Sequence, residues 1–135
     1  MARVQLALNV SDLDAAVDYY SRLLATPPRK LEPGYANFAV ADPPLKLVLV
    51  EAKDAPERLN HLGVEVESAE EVTRAQERLE REGLAEASET GVTCCYARQD
   101  KVWASDPDGA RWEIYTVLAD TPERGEPSVT AECRC

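Results

Sequence analysis

The chain of 135 residues has a single histidine, and no stretch of it approaches the ~20 consecutive apolar residues of a membrane span. Basic residues are few: 15 Lys and Arg stand against 25 Asp and Glu, a formal net charge of −10. Binding to phosphate backbones needs clustered Lys and Arg, so nucleic acid is not an expected partner. Anionic membrane surfaces are disfavoured for the same reason. No cationic region or small-residue cleavage site precedes the strand-like run Val4 to Val10, so a cytoplasmic location is expected. In that reducing compartment the four cysteines are expected as free thiols or soft ligands rather than as structural disulfides.

The length suits one compact domain able to bury a core of its own. Two segments repeat one pattern: VQLALNVSDLDAAVDYYSRLL from Val4 and NHLGVEVESAEEVTRAQERLE from Asn60. Each opens with period-two alternation, the mark of a half-buried strand, then passes through Ser, Asp or Glu into helical spacing. Leu13, Ala16, Val17, Tyr20 and Leu24 form the first helical stripe, with Ser11 or Asp12 as N-cap. Val72, Ala75 and Leu79 form the second, and Gly83 stops that helix.

Strand-like runs follow each helix: Tyr35 to Val40 and Leu45 to Glu51 in the first half, with a further short strand expected before Pro33. The second half offers a run near Thr90 to Ala97, then Lys101 to Ser105 and Arg111 to Val117, the last two joined by the turn Asp106-Pro107-Asp108-Gly109. The expected fold class is α+β, with two βαβββ modules in one chain, about residues 2–52 and 58–118, forming a curved mixed-sheet cleft. Residues 119–135, rich in Pro, Gly and Glu, are expected as a C-terminal tail.

Superposing the repeats pairs Gln5 with His61. Glu113 pairs with Val48 or Leu49, depending on which turn anchors the comparison. Alternation sets Gln5 beside Ala7 and Asn9, His61 beside Gly63 and Glu65, and Glu113 beside Arg111 and Tyr115. One imidazole, one carboxylate and one amide oxygen suit a divalent first-row metal with coordination positions to spare. On the residues alone two readings stand: a metal site, or an ordinary histidine and strand glutamate.

The βαβββ repeat, the histidine in NHLGVEV and the Asp-Pro-Asp-Gly turn before WEIY resemble the vicinal oxygen chelate superfamily over residues 2 to about 118. That resemblance implies metal ligation by Gln5, His61 and Glu113. Glyoxalase I in that superfamily has a fourth ligand, a glutamate on the last strand of the first repeat. The apolar Val48 or Leu49 at that place disfavours its chemistry here, and Glu51 reads as a surface residue.

Thr93-Cys94-Cys95-Tyr96-Ala97 is the most unusual segment. Adjacent cysteines in a regular strand face opposite ways, whereas a loop or bulge can bring both sulfurs to one side. A monosubstituted trivalent arsenical has two valences open to thiolates; the alternative is that both are small buried hydrophobes. TCCYA, with GYANFAVADPPLKLVLVE and LNHLGVEV, is similar to the carbon–arsenic lyase branch of the superfamily, whose members are often confused with proteins described as cadmium-induced. The resemblance implies a non-haem Fe(II) dioxygenase using molecular oxygen as co-substrate. Its implied substrates are trivalent organoarsenicals such as methylarsenite and trivalent aromatic arsenicals, bound by Cys94 and Cys95 and cleaved to arsenite. Tyr35, Tyr96, Trp103 and Tyr115 are candidate pocket residues, Cys133 and Cys135 candidate accessory thiols, and residues around Thr90 to Lys101 a candidate lid. Because both modules lie in one chain, a monomer suffices to form the cleft. Two other functions stay open: another metal-dependent activity of the superfamily, ring cleavage or thiol transfer, and non-enzymatic cadmium or arsenic sequestration.

Overall fold

The computed structural model describes residues 2–124. Its elements run β1 (Arg3–Val10), α1 (Leu13–Leu23), β2 (Lys30–Glu32), β3 (Tyr35–Val40), β4 (Leu45–Glu51), β5 (Leu59–Glu65), α2 (Ala69–Arg81), β6 (Ala87–Cys94), β7 (Ala97–Ser105) and β8 (Arg111–Asp120). This is the βαβββ order twice over, an α+β fold, and β2 is the short strand expected before Pro33. The chain divides into two compact units at Leu62/Gly63, within β5.

In the first unit β1 runs parallel to β4, while β3 pairs antiparallel with both β4 and β2. Helix α1 starts where the Asp12 carboxylate accepts from Ala15 N at 3.1 Å, leaving fewer first-turn amides unsatisfied. Glu51, exposed at the end of β4, accepts from Leu13 N at 2.9 Å and ties that strand end to the helix start. The Leu13, Ala16, Val17, Tyr20 and Leu24 stripe packs on Ala36, Phe38, Val40, Leu47 and Leu49. Burial of Phe38 and Leu49, both inaccessible to solvent, contributes roughly 1.5–3 kcal/mol each. Leu49 therefore belongs to the helix-packed core. Val48 lies on the other face, opposite Ala7 and Asn37, and with Lys46 shares the face of Gln5.

In the second unit β7 pairs antiparallel with β6 and with β8. Ser68 caps α2 by accepting from Glu71 N at 3.2 Å, and Glu71 reaches back to Glu67 N at 2.8 Å, a reciprocal arrangement close to a capping box. Gly83 ends the helix at φ +73°, a backbone region glycine enters without a Cβ clash. The Asp106 carboxylate accepts from both Asp108 N and Ala110 N at 2.9 Å, which closes the β7–β8 turn and sets the register that places Glu113 opposite Trp103. β8 continues through Asp120 because Arg98 and Ala97 pair with Ala119 and Asp120, two residues into the segment expected as tail.

Two expectations are corrected here. The strand near Thr90 ends at Cys94, and β7 begins at Ala97, earlier than Lys101, so Cys95 and Tyr96 alone make the turn. The candidate lid, residues 90–101, forms a hydrogen-bonded hairpin. Cys133 and Cys135 lie outside the described residues.

Candidate functional site

The first unit brings Gln5 and His61 together. Both are buried, and Gln5 Nε2 lies 3.2 Å from His61 Nε2. The other ring nitrogen, Nδ1, is 2.8 Å from the side-chain oxygen Oδ1 of Asn60, which can only accept, so the ring proton sits on Nδ1. Asn60 Nδ2 donates to Asn9 Oδ1 at 3.0 Å, and Asn9 Nδ2 donates to the Glu57 carbonyl at 3.0 Å. This relay fixes the imidazole tautomer and leaves the Nε2 lone pair directed toward Gln5, the arrangement that orients a histidine for a metal. The same buried face carries Ala7, Tyr35, Asn37, Lys46 and Val48. Asn37 Nδ2 donates to the Tyr35 hydroxyl at 3.0 Å.

Asn60 was not among the candidates read from the sequence. A residue adjacent to His61 on a strand is expected to face away from it, and only the side-chain conformation reveals the contact. Replacing Asn60 with leucine removes the acceptor for Nδ1–H. The expected result is a roughly 10–100-fold loss of divalent-metal affinity with the protein still folded, measured by metal titration alongside circular dichroism.

In the second unit Glu113 is buried on β8, and its Oε2 lies 3.5 Å from Lys101 Nζ on β7. That ammonium also sits 5.4 Å from the Trp103 ring centroid and 5.8 Å from that of Tyr115, where the negative faces of the rings favour it. Arg111 stacks over Trp103 at 4.1 Å. Trp103 Nε1 donates to Glu89 at 3.1 Å, and the Tyr115 hydroxyl donates to Glu65 at 3.0 Å. Gln99, Lys101 and Trp103 alternate along β7 and are all buried, so this face is polar and enclosed. Among the described residues no group of three His, Cys, Asp or Glu side chains forms a metal cluster.

The sulfur pair sits in the β6–β7 turn. Cys94 and Ala97 pair across the hairpin, and the two residues between them, Cys95 and Tyr96, have φ of 53° and 61°. Positive φ at both central positions is the pattern of the tight hairpin turn whose twist matches its strands, normally filled by Asn and Gly. A side chain with a Cβ costs roughly 1–2 kcal/mol per residue there. The turn sets Cys94 Sγ and Cys95 Sγ 3.4 Å apart. That distance is well beyond the ~2.05 Å of an S–S bond, so the two are not bonded to each other. Yet neither is a free thiol: both are disulfide-bonded, which corrects the free-thiol expectation. Cys94, Tyr96, Tyr35, Trp103 and Tyr115 are all buried.

A family model described as the Glyoxalase/Bleomycin resistance protein/Dioxygenase superfamily matches residues 3–114. A protein named cadmium-induced protein CadI, from Mycobacterium tuberculosis, is 58% identical over 125 residues, covering 93% of this chain and 82% of that protein. A protein named trivalent organoarsenical cleaving enzyme, from Thermomonospora curvata, is 52% identical over 134 residues, covering 98% of this chain and 89% of that protein. The crystal structure of the Mn(II)-bound glyoxalase from Novosphingobium aromaticivorans superposes with a TM-score of 0.65 at 21% identity, over 93% of this chain and 43% of that one, a likeness of fold.

Proposed function

We propose that this chain, which belongs to the Glyoxalase/Bleomycin resistance protein/Dioxygenase superfamily, cleaves the carbon–arsenic bond of trivalent organoarsenicals and releases arsenite. The observation that carries this reading is the pair of sulfurs 3.4 Å apart in a turn with positive φ at two non-glycine residues. Backbone strain of this kind persists where the surrounding structure enforces it, and it often marks a functional site. Two sulfurs so placed match the two open valences of a monosubstituted trivalent arsenical. The relative from Thermomonospora curvata, named for organoarsenical cleavage, supports the same substrate class.

Gln5, His61 and Glu113 are the proposed holders of a divalent metal, Fe(II) in this reading. Their fit rests on donor chemistry: an imidazole Nε2 oriented through Asn60, a carboxamide whose Nε2 lies 3.2 Å from it and whose oxygen would be the ligand, and a buried carboxylate. Bound ferrous iron would supply the activation of dioxygen. Cys94 and Cys95, once reduced by a cellular thiol, hold the arsenic as a dithiolate, so its carbon substituent reacts from a fixed position. Lys101 holds the Glu113 carboxylate, and Tyr35, Tyr96, Trp103 and Tyr115 supply aromatic surface for the organic group. The proposed setting is the cytoplasm, with a small molecule as substrate and a monomer or a dimer as the acting form.

A second reading, stoichiometric sequestration of a soft metal by Cys94 and Cys95, is favoured by the 58% identity to a protein named cadmium-induced. Oxygen uptake separates the two. Uptake that requires both Fe(II) and methylarsenite, over many turnovers, is expected for the enzyme. Saturable binding without oxygen uptake would favour sequestration.

A further inference from the structure

We infer that Gln99 selects the substrate, its side-chain oxygen accepting the As–O–H of a monosubstituted trivalent arsenical as Cys94 captures it. This inference rests on the carbon–arsenic reading above. Gln99 is 4% exposed, and its Nε2 donates to the Cys94 carbonyl at 2.8 Å, so its carboxamide is fastened beside the first cysteine. That bond also fixes which way round the carboxamide sits, because a carbonyl only accepts. The oxygen, Oε1, has no hydrogen-bond partner among the described residues. A buried acceptor left without a donor is destabilising. Fastening the turn needs only a donor, which a side chain without an acceptor also supplies. The acceptor is thus the part of Gln99 that the fold does not use.

The substrate class supplies the matching donor. In water a monosubstituted trivalent arsenical is R–As(OH)2. The reduced Cys94 thiol displaces one hydroxyl: Cys–SH and R–As(OH)2 give Cys–S–As(OH)R and water. The remaining As–OH donates to Gln99 Oε1, which holds the arsenic while the Cys95 thiol displaces that hydroxyl as a second water. No electrons move in either step; the only redox requirement is prior reduction of the cysteines by a thiol. A disubstituted arsenical, R2As–OH, loses its sole hydroxyl at the first step and has nothing left to donate. Gln99 therefore favours monosubstituted over disubstituted trivalent species.

The test uses full-length protein reduced with a phosphine, which does not chelate arsenic as a dithiol would. Phenylarsenite capture is titrated by mass spectrometry, with Cd2+ as a probe that needs both sulfurs and no hydroxyl acceptor. Gln99→Met is expected to weaken phenylarsenite capture about tenfold, the value of one hydrogen bond of ~1.4 kcal/mol, and to erode the preference over diphenylarsenite. Cd2+ affinity and thiol titre should stay as in the unsubstituted protein. Gln99→Glu keeps an acceptor and loses the donor, so it should capture phenylarsenite better than Gln99→Met; if Gln99→Met does not fold, a Gln99→Glu protein that fails to capture while binding Cd2+ overturns the inference. Undiminished capture by Gln99→Met overturns it, as does an equal loss for phenylarsenite and Cd2+, which would make Gln99 a strut of the turn. A parent protein that captures no arsenical at Cys94 and Cys95 would remove the carbon–arsenic reading itself.

Discussion

Replacing either Cys94 or Cys95 with serine is expected to lower carbon–arsenic cleavage on the order of a hundredfold or more, because arsenic held by one sulfur is free to rotate and leave. A serine oxygen is a hard donor that does not replace a thiolate toward a soft element. The loss should fall on turnover with metal binding unchanged, since neither sulfur belongs to the proposed ligand set. The turn itself should survive, because serine is nearly the size of cysteine and leaves the backbone at 95 and 96 unaltered. Steady-state arsenite production and metal stoichiometry on the same preparations check both halves. Full activity in either variant would contradict the role given to the pair.

The second large effect concerns Glu113. Its carboxylate faces Lys101 Nζ at 3.5 Å, with both side chains 5% exposed or less. Glu113→Ala leaves a buried ammonium without its carboxylate, and breaking such a pair from one side costs about 3–5 kcal/mol. Metal-free protein should therefore unfold at markedly lower denaturant. Adding Lys101→Met to that background should recover much of the loss, because the uncompensated charge is gone; the double-mutant cycle measures the coupling. Metal supplies the functional half of the test. A ligand that binds only the folded state raises stability, so Fe(II) or a redox-inert substitute should stabilise the unsubstituted protein and not Glu113→Ala. Equal stabilisation of both would exclude Glu113 from the ligand set while leaving the ion pair intact.

Much of the fold was legible because the repeat announces itself twice and the punctuation is strong. Asp12, Ser68, Gly83 and the Asp106 turn each act through side-chain or backbone chemistry that one residue type displays. The β6–β7 turn was not legible for the opposite reason. Cys95 and Tyr96 occupy backbone positions that Asn and Gly normally signal, so in the sequence the strand-like run reads on to Ala97. Gln5 and His61 were legible as a pair through their repeat positions, and they meet at 3.2 Å. Lys101 and Gln99 were not, since lysine and glutamine are usually solvent-facing and strand alternation alone does not say which face is enclosed. Asn60 was hidden by its adjacency to His61. The ambiguity between Val48 and Leu49 ends with the register: Val48 shares the face of Gln5, and Leu49 packs under α1.

The sulfur pair shows how local cost and function are linked. A glycine at 95 would relax the turn but remove one sulfur. The chain instead keeps two side chains at positive φ and sets their neighbouring sulfurs 3.4 Å apart. The candidate metal residues lie on buried polar faces, each tied to further polar groups, His61 through Asn60 and Glu113 through Lys101. Such faces are costly unless satisfied, so their satisfaction by ordered relays fits a preorganised site.

The most direct test of the central claim is arsenite release. Phosphine-reduced protein is reconstituted with Fe(II) without oxygen, mixed with methylarsenite, and then exposed to oxygen, with arsenic species separated and counted by mass spectrometry. Multiple equivalents of arsenite per protein are expected, appearing only when Fe(II), oxygen and methylarsenite are all present. Methylarsenite recovered intact, bound in a fixed ratio to the protein, would contradict it.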